Sequence, residues 1–336
     1  MNTMLAEQSV LPRFVRVDEA ADLSVIIVNY NTAHLLDRCI GNLRSASRGL
    51  AVRVVIVDNA SRDGSAAFIH EQFPDCVLIA NADNVGFGRA NNQALEFCPG
   101  PYVLLLNADA YMFQDTLHKC LQHMQAQPRC GVLGVRLVGE ADKGWYTGRD
   151  FPNPWKSFLL HSGFVRTPPH VMLPLDARPS HGGDSWHCDW VVGCFYMIRR
   201  EVLDQVGLFD PRYFLYFEEV DHCRAVRQAG WTVECLAGAR IIHVGGGSAE
   251  SEGELSATGR QLSALQTESE LLYYRKHNGL LGLIATVSLA VLADAIRIVK
   301  WVLKRRRLAG AEVFWRNSAT VCRLAWQTRL GTRATR

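Results

Sequence analysis

A chain of 336 residues that is 48% hydrophobic and 21% charged can bury a sizeable core in one large or two modest domains, which excludes a disordered class. A formal net charge of only +3 gives no electrostatic ground for a nucleic-acid partner. The 10 cysteines form no CxxC pair, and Cys39, Cys76, Cys194 and Cys223 lie inside apolar stretches, pointing to a reducing compartment and away from a disulfide scaffold or a zinc site.

Residues 1–21 lack the continuous apolar core of a signal peptide and read as a variable leader. Leu23 to Val28 is a strand by composition. It leaves through Asn29-Tyr30-Asn31-Thr32 into a helix with Leu35, Leu36, Cys39, Ile40 and Leu43 at helical spacing, Thr32 standing as its N-cap. Val52 to Val57 is a second strand and Cys76 to Ala80 a third, ending in Asn81-Ala82-Asp83-Asn84-Val85-Gly86-Phe87-Gly88. A helix starts near Arg89 and carries Ala90, Ala94, Leu95 and Phe97. The fourth strand, Tyr102 to Leu106, ends abruptly in Asn107-Ala108-Asp109.

Four strands alternating with helices predict an α/β fold with a doubly wound, mostly parallel sheet and helices on both faces. Each strand exit carries small polar residues, and ligands of such sheets bind beyond the carboxyl ends of the strands. A carboxylate fixed there, Asp109, can coordinate a divalent metal that holds a diphosphate, or can simply cap the next turn. A dinucleotide-binding dehydrogenase needs Gly-x-Gly-x-x-Gly after the first strand, but the first glycine there is Gly41, within the helix, and Gly86-x-Gly88 is incomplete.

Ser24-Val25-Ile26-Ile27-Val28-Asn29-Tyr30-Asn31, Val57-Asp58-Asn59-Ala60-Ser61-x-Asp63-Gly64-Ser65, Asn84-x-Gly86-Phe87-Gly88-x-Ala90-Asn91-Asn92 and Leu106-Asn107-x-Asp109 stand in this order. Together they resemble the inverting glycosyltransferases of family 2 with the GT-A fold, especially the bacterial rhamnosyltransferase branch, over roughly residues 22–250. The resemblance implies a nucleotide-binding half (22–110) and an acceptor half (111–250). It implies that Asp58 contacts the pyrimidine or ribose of a nucleotide sugar, that Asn84, Gly86, Arg89 and Asn107 line the nucleotide site, and that Asp109 holds Mg2+ or Mn2+ on the diphosphate. Most of that branch has Asn-Pro-Asp where this chain has Asn107-Ala108-Asp109, a change that bears on turn rigidity and keeps the metal-facing Asp.

Further on, Thr116 to Gln127 reads as a helix and Val132 to Val138 as a strand. Residues 139–187 show little periodicity and form either a cover over the acceptor or a disordered excursion. Asp189 to Ile198 is a strand, Arg200 to Val206 a short helix stopped by Gly207. Glu218-Glu219-Val220-Asp221 opens a helix running to about Gln228, its carboxylates favoured by the helix dipole. Neighbours on a helix diverge by about 100°, so Glu218 and Glu219 are not expected to face one site. Glu219 shares a face with Cys223 and Val226 and is the inward candidate.

Inverting transfer needs one carboxylate to take the proton of the attacking hydroxyl. The family pattern resembled here is Glu-Asp-x-Asp with the second residue as base; this chain has Glu219 there. His243, delivered by a strand before Gly245-Gly246-Gly247, resembles the histidine that completes the metal shell in related transferases, with a hydrogen-bonded structural role as the alternative. Asp189 and Trp190 match a segment on the sugar and acceptor side, to which Glu218 is also assigned; Trp190 stacks on a sugar or belongs to the core.

Residues 251–336 read as a helical region. Gly279 to Ala293 has no charge; Asp294, Arg297, Lys300 and Lys304 then form one polar stripe, and Lys304-Arg305-Arg306-Arg307 follows. This predicts a helix in the membrane interface on the cytoplasmic face of the inner membrane, held peripherally, with an ordinary buried helix as the alternative. The expected partners are a nucleotide-sugar donor (dTDP-rhamnose or a UDP-sugar), a polyprenyl-linked or glycan acceptor and the membrane surface, with a homo-oligomer left open. The rival functions are a non-catalytic nucleotide-sugar-binding scaffold, suggested by Glu219 at the base position, and an NAD-dependent dehydrogenase.

Overall fold

The structure, a computed structural model, describes residues 14–16, 19–138, 144–165, 184–243, 260–305 and 310–336. Its frame is the set of apolar runs read above. β1 (Leu23–Asn29), β2 (Val52–Asp58) and β4 (Tyr102–Leu106) are buried almost throughout, as strands covered on both faces must be. With the half-buried β3 (Val77–Ala80) they pair in parallel in the order β3–β2–β1–β4. α1 (Ala33–Ala46), α2 (Ser65–Gln72) and α3 (Phe87–Ala94) connect them. Past β4 the sheet continues with β11 (Phe195–Arg199), antiparallel to it. β6 (Cys130–Val138) follows, antiparallel to β11, and then β12 (Thr232–His243), parallel to β6. The short β5 (Ala110–Met112) pairs antiparallel with the end of β12.

Alternation along β1 sends side chains to opposite faces. Val25 and Ile27 join Leu36, Ile40 and Leu43 of α1 and Leu117 of α4 (Thr116–Ala126). Ile26 joins Ala90 and Ala94 of α3, Val202 of α6 (Arg200–Val206), and Cys223 and Val226 of α7 (Glu218–Gln228). Each fully buried aliphatic contributes about 1.5–3 kcal/mol. Two cores of this size hold the strands in register and fix where their exits lie.

The irregular stretch is more structured than its composition suggests. It contains β7 (Gly144–Tyr146), β8 (Gly148–Arg149), α5 (Pro154–His161) and β9 (Ser185–His187). Asn153 caps α5 by accepting from the amides of Trp155 and Lys156, with proline in the first turn. The strand expected over Asp189 to Ile198 is two pieces: β10 (Trp190–Val191) pairs with β8, and the chain turns at Gly193 before β11. Thr32 does precede α1, but its hydroxyl donates to Asn29 Oδ1 at 2.6 Å; the amide of Ala33 is capped by Asp63 instead, at 2.9 Å.

At the C-terminal end, α8 (Arg260–Arg305) is broken at Gly279, whose φ of 67° an L side chain rarely adopts. α9 (Glu312–Gln327) packs on it through Leu271, Leu283, Leu324 and Ala325. The polar stripe of α8 meets the protein at Asp294 and Lys300, while Lys304 is exposed. Asp294 is buried and accepts from Asn317 Nδ2 and Ser318 Oγ, each at 2.8 Å, while Lys300 donates to Ser162 O at 3.0 Å. The apolar side is turned outward: Leu281, Leu292, Val299 and Leu303 are exposed. Arg306, Arg307 and Gly245 to Gly247 lie outside the described residues.

Candidate active site at the strand exits

β4 stops because the chain turns: the Asn107 amide donates to Cys194 O and its carbonyl accepts from the Ala110 amide, both at 3.1 Å. The turn leaves Asp109 only 7% exposed at the exit. β5 begins directly afterwards and pairs Ala110 with His243. His243 Nε2 thereby comes to 3.2 Å from Asp109 Oδ1. A carboxylate and an imidazole at a polar rim are a donor set that suits a divalent cation and would leave its other coordination positions open to a ligand and water.

Further along the same rim, the buried carboxylate of Asp58 accepts from Asn29 Nδ2 at 2.7 Å and from the Ser61 amide at 3.1 Å. One strand separates it from β4, so it stands about 10 Å from that exit. Asn84 Oδ1 accepts from Asn59 Nδ2 at 2.8 Å and from the Gly86 amide at 3.0 Å. Gly86 has φ 91°, and a Cβ there would meet Phe214 O at 2.6 Å, so the glycine is required by packing against the loop before α7. The same loop caps α3, since the Phe87 amide donates to Phe214 O at 2.8 Å. Arg89, expected at the nucleotide site, donates to Pro211 O at 2.8 Å and to Arg336 O at 3.2 Å, joining α3 to the C-terminal segment.

Two carboxylates open α7. The residues before them, Tyr216 and Phe217, both have positive φ (69° and 68°), a strained pair that drives the helix start into the protein. Both carboxylates are enclosed, and Glu218 and Glu219 each keep one buried oxygen without a hydrogen-bond partner among the described residues. Their backbones do diverge: Glu218 Cβ is 3.7 Å from the position of a Cβ on Gly88 of α3, whereas Glu219 Cβ is 4.0 Å from one on Gly193. Glu219 therefore faces the turn whose next residue, Cys194, binds Asn107 at the β4 exit. Burial pushes Glu219 up to about 7, against the pull of the α7 amides, and burial plus the Glu219 charge hold Glu218 well above the carboxylate range.

Asp189 accepts from the Phe151 amide at 2.8 Å and pairs with Arg227, and Trp190 Nε1 donates to Asp150 O at 2.8 Å while packing beside Tyr213. Asp189 thereby holds Phe151 and Arg227, which with Asn153, Arg224 and Tyr274 line a cleft of about 540 Å³. Sequence reasoning passed over Gly193 and Asn59. Gly193 carries no local signal, because its partner Glu219 is distant in sequence. Asn59 accepts from the Val85 amide and from Asn81 Nδ2, both at 3.1 Å, and its signal was its place beside Asp58 at a strand exit.

Residues 24–207 match glycosyl transferase family 2. Over 250 residues the chain is 26% identical to an N-acetylglucosaminyl-diphospho-decaprenol L-rhamnosyltransferase of Mycobacterium tuberculosis, covering 66% of this chain and 75% of that protein. It is 24% identical over 236 residues to rhamnosyltransferase WbbL of Escherichia coli, covering 65% of this chain and 82% of the relative. Among solved structures the fold is similar to mannosyltransferase PcManGT from Pyrobaculum calidifontis in complex with GDP-Man and Mn2+, with a TM-score of 0.53 at 15% identity over 95% of this chain and 90% of that one. It is also similar to GalNAc-T7 with UDP, GalNAc and Mn2+, with a TM-score of 0.51 at 13% identity over 75% of this chain and 51% of that one.

Proposed function

The chain belongs to glycosyl transferase family 2, and from that premise we propose that it transfers L-rhamnose from dTDP-L-rhamnose, with inversion, to a lipid-linked or growing cell-surface glycan. The observation that carries this reading is the meeting of Asp109 and His243 at 3.2 Å on the rim that Glu219 also borders. Asp109 and His243 would hold Mn2+ or Mg2+, the imidazole favouring the softer Mn2+. Such an ion supplies compensation for the negative charge that builds on the departing diphosphate.

The chain's own groups do the rest. Asp58, fixed by Asn29 and Ser61, and the Asn59–Asn84 pair present polar atoms to the pyrimidine and ribose. Glu219 accepts the proton of the acceptor hydroxyl as its oxygen bonds to the anomeric carbon, while the bond to the diphosphate breaks on the opposite face. A carboxylate pushed up to about 7 is a stronger base than an ordinary one and is still about half ionised at neutral pH. Asp189 and Trp190 shape the acceptor cleft, whose Arg224 and Arg227 suit an anionic acceptor such as a lipid diphosphate.

The donor sugar and the lipid acceptor are supported by the names of the rhamnosyltransferase relatives. The outward apolar face of α8 supports peripheral attachment to the cytoplasmic face of the membrane, with residues 22–250 as the catalytic part and residues 251–336 as the membrane-associating part. A non-catalytic scaffold remains the rival reading because Glu219 stands at the position of the family's Asp. Thermal stabilisation by a panel of nucleotide sugars with Mn2+ tests the proposal. dTDP-rhamnose is expected to stabilise most; a UDP-sugar in its place reassigns the donor, and no stabilisation by any of them removes the reading. Stabilisation without donor turnover favours the scaffold.

A further inference from the structure

The strand exits lie at one end of the sheet. At the other end, where β6 and β12 begin, three side chains of different chemistry converge: His123 from the last turn of α4, Cys130 from the first residue of β6, and Glu234 from β12. Their ligand atoms all lie within 4.8 Å of one another, and His123 Nε2 is 2.9 Å from Glu234 Oε2. We propose that His123, Cys130 and Glu234, closed by His187, form a structural Zn2+ site that staples the end of the sheet remote from the donor rim.

The geometry is within reach of a metal. Zinc bound at about 2.0–2.3 Å in a tetrahedron holds its ligands about 3.3–3.8 Å apart, so the cluster closes with shifts of about 1 Å. His187 is placed by sheet register: it stands directly across from Glu234 in the β9–β12 pairing, with its Nε2 3.6 Å from Glu234 Oε1. Its side chain is 74% exposed and can swing inward as the fourth ligand. The other three are enclosed, with Cys130 at 0% and Glu234 at 5%.

The backbone is arranged around this point. The β6–β12 register slips between Thr232 and Val233, leaving Gly131 as the extra residue of a bulge beside Cys130. A Cβ on Gly131 would meet Trp231 at 2.8 Å and Val202 at 2.9 Å, so only glycine lets the strand bulge there. Bulges re-aim neighbouring side chains. Thr232 Oγ1 donates to Glu234 Oε1 at 2.7 Å, the kind of bond that orients a ligating carboxylate.

The chemistry selects the ion. A thiolate with imidazoles and one carboxylate prefers Zn2+ to Mg2+ or Mn2+, so this site and the donor rim discriminate between metals. On binding, the Cys130 thiol releases its proton to solvent; one thiolate and one carboxylate then balance the two positive charges of the ion. The sequence argued against zinc because ligand spacing was judged along the chain, and these ligands come from four separate elements. The competing description is a buried His123–Glu234 ion pair with a bystander thiol.

The test uses the untagged full-length protein, stripped with chelator and titrated with Zn2+ and with Co2+ as a spectroscopic probe. One Zn2+ per chain is expected, with a rise in melting temperature, and a thiolate-to-Co2+ charge-transfer band. Cys130→Ser should abolish the band and weaken Zn2+ binding by about 100-fold. His187→Ala, on the surface, should weaken it by about 10-fold while leaving the metal-free melting temperature unchanged, which keeps the test decisive if the Cys130 variant folds poorly. Cys39 and Cys194 lie near Asp109, so a band that survives Cys130→Ser belongs to the donor rim and overturns the proposal. Absence of Zn2+ binding, or unchanged binding in both variants, establishes the ion pair alone.

Discussion

His243 Nε2 lies 3.2 Å from Asp109 Oδ1, although the two residues end strands with β11 and β6 between them. The short strand β5 makes the meeting: it starts one residue after Asp109 and pairs Ala110 with His243. Donor binding is therefore expected to depend on both side chains and on a divalent ion. Asp109→Asn should lower turnover by about 100-fold and abolish the Mn2+-dependent part of nucleotide-sugar stabilisation. His243→Ala should do the same more mildly, by about 10-fold. Calorimetric titration of dTDP-rhamnose with and without Mn2+ reads both effects.

The pH dependence follows from Glu219. Its ionised form is the base, and burial pushes it up to about 7, so turnover should rise tenfold per pH unit below that value and level off above it. Stability should run the other way. The unfolded chain ionises this carboxyl near 4.5 while the folded protein keeps its proton, so stability contributed by the group is lost as pH rises from 4.5 to 7. Glu219→Gln should therefore stabilise the protein by about 3 kcal/mol at pH 8 and by nothing at pH 4. Denaturant melts at the two pH values check this.

α7 is tied to the C-terminal region through one buried carboxylate. Asp221 accepts from Lys276 Nζ at 2.7 Å and from His277 Nε2 at 2.6 Å, with Tyr213 OH donating at 3.3 Å. Removing it takes the carboxylate from His277 and leaves Lys276 with Asp210 alone, at 2.8 Å. Asp221→Ala is expected to cost about 3 kcal/mol and to lower turnover together with stability. Lys276→Ala, partly exposed, should cost less than half of that.

The outward face of α8 predicts membrane attachment. Deleting residues 279–336, or replacing Leu281, Leu292 and Leu303 with glutamine, should shift the protein from anionic vesicles to the supernatant in a sedimentation assay. Continued pelleting of the truncated protein would place the anchor elsewhere.

Much of the fold was legible because the strands are short apolar runs that end sharply in polar residues. Leu23, Val52 and Tyr102 open strands where composition put them, and the parallel run β3–β2–β1–β4 follows from their alternation with helices, whereas the GT-A type was implied by the motif resemblance. What escaped was non-local. The break at Gly193 lies against Glu219 of a distant helix, Glu218 is enclosed behind a strained Tyr216–Phe217 turn, and the cap of α1 comes from Asp63 across the rim. The stripe of Asp294 and Lys300 was visible as a pattern, but periodicity shows that two faces differ and leaves open which one meets the protein. The described strands within 139–187 are two or three residues long, and β8 and β9 find their partners at a distance, in β10 and β12, which leaves no periodic signal.

The most direct test of the account is nucleoside-diphosphate release from dTDP-rhamnose with Mn2+ and acceptor, compared between the native protein and Glu219→Gln. The account expects the variant to bind donor with undiminished Mn2+ dependence and to turn over at least about 100-fold more slowly. Near-normal turnover by that variant would contradict it.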